Sequence, residues 1–85
     1  MSGRVLDTEK AAESLRALSR WLIARPLRNA YMTPKDNGSI EVVIEQHIPA
    51  IGVCRAAAAA EWPDVAIGRV LYAWRRSFGE EQADG

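Results

Sequence analysis

Between Asn29 and His47 the chain changes its hydrophobic period from helical to alternating, and that change confines the fold to a mixture of helix and sheet. Ile40, Val42 and Ile44 alternate with Glu41, Val43 and Glu45, so one side is apolar and the other carries two carboxylates, as in a half-buried strand. Asp36-Asn37-Gly38-Ser39 comes just before, and Asn-Gly is the strongest short signal for a tight hairpin turn. With Asn37 and Gly38 as a two-residue loop, Thr33 faces Val42 and Tyr31 faces Ile44, so the partner strand runs from about Ala30 to Thr33. Pro34 must then lie on an edge, because it has no amide to donate. A lone hairpin leaves both edges open, and Met32 falls beside Val43 on its other face, which raises the hypothesis of a homodimer through the hairpin edge.

Helical spacing flanks this hairpin. Asp7 or Thr8 is placed to cap a first helix ending near Ala24, with Glu9 and Glu13 early and Arg16, Arg20 and Arg25 late, the order that the helix dipole favours. Pro26 stops it. Ala11, Leu15, Leu18 and Leu22 form an apolar stripe with Trp21 beside it, so this helix is read as a core element whose other face is solvated. After the hairpin, Pro49 suits a first helical turn, and Val53 to Ala60 contains five consecutive alanines, the best helix formers. Glu61-Trp62-Pro63 then breaks the chain, and Pro63 with Asp64 starts a last helix reaching about Phe78. Small residues Ala66, Ala73 and Ser77 would let these two helices pack closely. The expected fold is a small α+β single domain spanning 1–85: helix, β-hairpin, then two packed C-terminal helices, with an ordered core of about 7–78 and an acidic tail over 79–85.

Length and charge bound what such a domain does. At 85 residues the core is thin, since a chain of this size buries only roughly 60 to 65 % of its unfolded surface. Eleven basic and eleven acidic residues cancel, which disfavours nucleic-acid binding driven by long-range attraction. Nine of the eleven bases are arginine, the side chain suited to planar contacts with carboxylate or phosphate. Cys54 is the single cysteine, so there is no internal disulfide, and a reducing cytoplasmic setting is expected. No apolar run is long enough to span a bilayer and the N-terminal stretch lacks a signal-type apolar segment, so no membrane association is expected and the chain is read as the mature protein.

Catalytic readings fail on inventory. His47 and Cys54 are the only histidine and the only cysteine, and Pro49 and a change of structure separate them, so a paired thiolate is not expected. Glu41, Glu45 and His47 share a strand face, but each successive same-face side chain lies about 6 to 7 Å further on, and a solvated face explains them better than a metal. No glycine-rich phosphate loop, paired-histidine helix or nucleophile elbow is present. The chain is expected to be no enzyme and to need no cofactor or metal.

What remains is the last helix. Ile67, Val70, Leu71, Trp74 and Phe78 share one face and build a core, while Val65, Arg69, Tyr72 and Arg76 take the opposite one. Tyrosine, tryptophan and arginine dominate interface hot spots. The candidate partner-binding residues are therefore Arg69, Tyr72, Arg76 and Val65, with Arg75 and Trp62 nearby. The favoured function is a small protein-binding module, an adaptor or inhibitor of a larger protein, with nucleic-acid-handling machines among the targets. Small phage-encoded inhibitors have a similar build, although no motif here identifies such a family. The alternative is a helix-turn-helix DNA-binding regulator, in which Val53–Ala60 positions and Asp64–Arg76 reads the major groove. Trp62-Pro63 at the turn, Asp64 at the groove-entering end and zero net charge all oppose it.

Overall fold

The computed structural model describes residues 8–79, and the readings that fall on Asp7 and on the acidic tail beyond Gly79 lie outside them. The element order is helix α1 (Thr8–Ala24), strands β1 (Arg28–Pro34), β2 (Ile40–Ile48) and β3 (Gly52–Ala60), then helix α2 (Pro63–Phe78). The strands form one antiparallel sheet in the order β1-β2-β3. It is an α+β domain, as the change of period implied.

The largest correction is β3. Val53 to Ala60, with its alanine run and Cys54, is an edge strand rather than a helix. Paired antiparallel to β2, it sets Cys54, Ala56, Ala58 and Ala60 against the helices and leaves Arg55, Ala57 and Ala59 exposed. Alanine gains well under 1 kcal/mol per residue from helix propensity over ordinary residues, and that preference loses to a sheet that would otherwise leave one side of β2 unpaired. Pro49 is correspondingly a turn residue. The Ile51 amide donates to the Ile48 carbonyl at 3.0 Å and Ala50 has φ 70°, so Pro49 and Ala50 take the two central positions of a type II turn. With no helix over 53–60, the pair of helices that a helix-turn-helix requires is not formed; α1 and α2 are separated in sequence by the whole sheet.

The first hairpin forms where expected, but in a different register. Gly38 N donates to Lys35 O at 3.0 Å and Lys35 N to Ser39 O at 2.8 Å, with Gly38 at φ 91°. This is a three-residue loop, Asp36 to Gly38, a type I turn closed by a left-handed glycine. The Asn37 side chain accepts from the Ser39 amide and hydroxyl and steadies it. One extra loop residue moves every pair by one: Tyr31 faces Val43, Met32 faces Val42 and Thr33 faces Glu41. Met32 and Val43 therefore lie on opposite faces, and the apolar pair invoked for a dimer does not exist. Pro34 does end an edge strand.

Both helices cover one face of the sheet. Val42 and Ile44 are fully buried beneath Ile67, Val70, Leu71 and Trp74 of α2 and Leu18 and Trp21 of α1. Of the small residues on α2, Ala66 packs with β3 and not with a helix over 53–60, fully buried in the cluster that includes Ala56, Ala58 and Ala60, while Ala73 is half-buried and Ser77 exposed. α1 is rotated from the simple leucine stripe, with Leu15 about half exposed and Leu18 and Trp21 buried. Its anchor is Trp21, whose ring meets Trp74 edge-on at 5.0 Å between centroids, while Trp74 lies 4.4 Å from Phe78. The Arg28 guanidinium sits 4.2 Å from the Trp21 ring centre, donates to the Trp21 carbonyl at 2.6 Å and reaches Gln46 at 3.0 Å. That contact ties the C-terminal end of α1 to the start of β1.

Candidate partner-binding surface

α2 places the predicted residues in two groups. Its inward row is fixed by Ile67, Val70, Leu71 and Trp74, so helical spacing obliges Arg69, Tyr72 and Arg76 to face out, and all three are exposed. Arg75, one residue round the helix, is exposed as well. Val65 and Trp62 do not join them fully. Val65 is half-buried against the core, and the half-buried Trp62 immediately precedes the helix, its carbonyl accepting from the Ala66 amide. Phe78 ends the inward row but stays 41 % exposed.

The exposed group is ordered by its own contacts. Arg76 Nη1 donates to the Tyr72 hydroxyl at 3.2 Å, and its guanidinium lies 5.8 Å from the Tyr72 ring centre, a pairing that four-residue helical spacing permits. Arg69 Nη1 donates to the Ala59 carbonyl at 2.9 Å, so the stripe carrying Arg69 overhangs β3. The one carboxylate of α2, Asp64, is buried in the first turn. To solvent α2 therefore shows three arginines and a tyrosine with no carboxylate among them.

The sheet face away from the helices holds a second constellation, which sequence reasoning missed. Tyr31 Oη donates to Glu45 Oε2 at 2.9 Å, and Arg55 donates to Glu45 Oε1 through Nη2 at 3.0 Å and Nε at 3.3 Å. These groups come from three strands, so finding them needed the observed register and the recognition of β3. Only 10 % of the Glu45 side chain stays exposed. The hydrogen bonds from Tyr31 and then Arg55 hold the Glu45 carboxyl below its ordinary value of 4.5, against the opposing effect of burial. The same bond to Glu45 raises the Tyr31 phenol above its ordinary 10.0. With both oxygens engaged, this carboxylate is spoken for as a structural tie and not poised as a base or a ligand. Glu41 pairs with Lys35 at 3.4 Å. A shallow recess at the β2–β3 turn is lined by Leu27, Asn29, His47, Ile51 and Val53 among others, and carries no acid, lysine or arginine.

No protein-family model matches this chain. No curated protein and no solved structure matches it either. Among the described residues no helix is long and apolar enough to cross a membrane.

Proposed function

We propose that the protein is a small non-catalytic binding module of the cytoplasm, an adaptor or inhibitor of a larger protein, and that its partner presents an acidic surface to α2. The observation that carries this reading is the composition of the α2 solvent face: Arg69, Arg75 and Arg76 around an exposed Tyr72, with the helix's one carboxylate buried. Arginine forks match carboxylates, and a tyrosine held by its neighbour offers contact area at low entropic cost. A core built from the opposite face of the same helix makes the arrangement rigid.

Capture of partners from lysate by tagged full-length protein, with and without nuclease, tests it. A protein retained after nuclease treatment and lost from the Arg69→Ala, Arg76→Ala double variant is the expected result, with the cooperative melt of that variant kept and its midpoint lowered by no more than the loss of two exposed hydrogen bonds allows. Binding to a purified acidic partner should weaken with salt less steeply than a phosphate-tracking contact would. Recovery of nucleic acid alone, abolished by nuclease, would refute the proposal.

A further inference from the structure

The α2 surface borders an open strand edge, and the hairpin geometry decides which backbone groups lie there. Along an antiparallel ladder, residues that exchange hydrogen bonds with one neighbour alternate with residues whose N–H and C=O turn the other way. Lys35 N donates to Ser39 O, making those two a bonded pair. By the register, Thr33 with Glu41 and Tyr31 with Val43 are bonded pairs also, so odd-numbered residues of β2 bond to β1 and even-numbered ones to β3. Their β3 partners are Cys54, Ala56, Ala58 and Ala60. Val53, Arg55, Ala57 and Ala59 therefore turn their amides and carbonyls away from the sheet. The Arg69 contact agrees with this alternation, because it finds the Ala59 carbonyl facing outward and in need of a donor.

The two edges of the sheet differ. β1 ends in Pro34, which has no amide. β3 has an unbroken register, no proline, and small side chains apart from Val53, Cys54 and Arg55, which is the open kind of edge that natural proteins ordinarily cover. An added strand would send alternate side chains to opposite faces. On the helix side they would meet the stripe of Arg69 and Arg76, and on the uncovered side Arg55, whose side chain is 59 % exposed and pairs with Glu45 through Nε and Nη2, with Nη1 outside that pair.

We infer that the β3 edge accepts an extended acidic segment of the partner protein as a fourth strand, its backbone pairing with Val53 to Ala59 and its carboxylates reaching Arg55 on one face and Arg69 and Arg76 on the other. The inference rests on the reading of α2 as a surface for an acidic partner, and it names the shape of that partner. Arg69 occupies the Ala59 carbonyl until the incoming amide replaces it, which frees its guanidinium for a carboxylate. Strand addition draws affinity from main-chain bonds and selectivity from alternate side chains.

The test uses the full chain and a peptide of alternating Glu and Val, about ten residues long to span the edge. Amide exchange at Val53, Arg55, Ala57 and Ala59 should slow at least about ten-fold on adding the peptide. A copy N-methylated on its edge-facing amides, and a Lys-Val peptide, should each bind at least about ten-fold more weakly. Ala57→Pro removes an outward amide without touching the ladder, so it should melt normally and lose the peptide. Unchanged exchange, or equal binding of the N-methylated peptide, overturns the inference. Full partner capture by Ala57→Pro, with loss in the double arginine variant, overturns the edge and leaves the α2 reading standing; capture that neither change affects removes both. Slowed exchange that follows protein concentration without peptide would give the edge to a second copy and also overturn it.

Discussion

Ala50→Gly should stabilise the protein, although glycine in place of alanine usually does the reverse. Ala50 holds φ 70° at the β2–β3 turn, and it is exposed, so removing its methyl forfeits no burial. A left-handed conformation costs a non-glycine residue about 1 to 2 kcal/mol. Glycine gives back roughly 0.5 to 1 kcal/mol through the greater freedom of the unfolded chain. The difference spans about 0 to 1.5 kcal/mol and centres on about 0.75 kcal/mol in favour of the variant. With roughly 2.1 cal/mol/K of unfolding entropy per residue, a domain of 85 residues carries roughly 0.18 kcal/mol/K, so the central value raises the midpoint by about 4 °C. Gly52, two residues on, supplies the opposite control. It sits at φ 131°, and a Cβ added there would meet no atom within 4 Å, so Gly52→Ala tests backbone strain without a clash. It should lower stability by about 1 to 2 kcal/mol. Scanning calorimetry on both variants, with urea titration to compare slopes, separates the effects. A lower midpoint for Ala50→Gly, with the slope unchanged, would refute the turn argument, since the strain would then be absent or already relieved elsewhere.

Trp74→Ala should cost about 3 to 5 kcal/mol, because the indole is 3 % exposed and packs against both Trp21 and Phe78; retention of a cooperative melt near the wild-type midpoint would show that this cluster is dispensable, and Leu71→Ala should be similarly damaging. Glu45 is depressed in the folded state, so its contribution is present above its ordinary 4.5 and lost as pH falls through the lowered folded value. Tyr31 is raised, so its contribution is present below 10.0 and lost as pH climbs through the higher folded value. Glu45→Gln should therefore flatten the acid limb of a stability–pH curve measured by urea unfolding, and an unchanged limb would mean that other carboxylates govern it.

Much of the fold was legible wherever a periodicity had room to repeat. The alternation at Ile40 to Glu45, the stop at Pro26 and the start at Pro63 all appear in the structure as α1, β2 and α2. The inward row of α2 was readable for the same reason, and with it the exposure of Arg69, Tyr72 and Arg76. The register was not, because Asn-Gly is compatible with a two-residue loop and with a type I turn closed by glycine, and one residue separates Tyr31 opposite Ile44 from Tyr31 opposite Val43. The triad of Tyr31, Glu45 and Arg55 was lost with it.

The alanine run misled for a more general reason. Alanine has no side-chain pattern of its own, since every second methyl in a strand is as small as its neighbour, so neither period can be read from Ala56 to Ala60. Propensity then speaks for a helix, but tertiary pairing outweighs it wherever a central strand needs a second neighbour. The informative signal lay upstream: Ile48-Pro49-Ala50-Ile51-Gly52 carries proline and glycine at hairpin-turn spacing, and a tight turn after β2 commits the next segment to lie antiparallel beside it. Small side chains there have a consequence for function as well as packing. They let α2 come close enough for Arg69 to reach the Ala59 carbonyl, and so bring the arginine stripe and the open strand edge into one continuous surface.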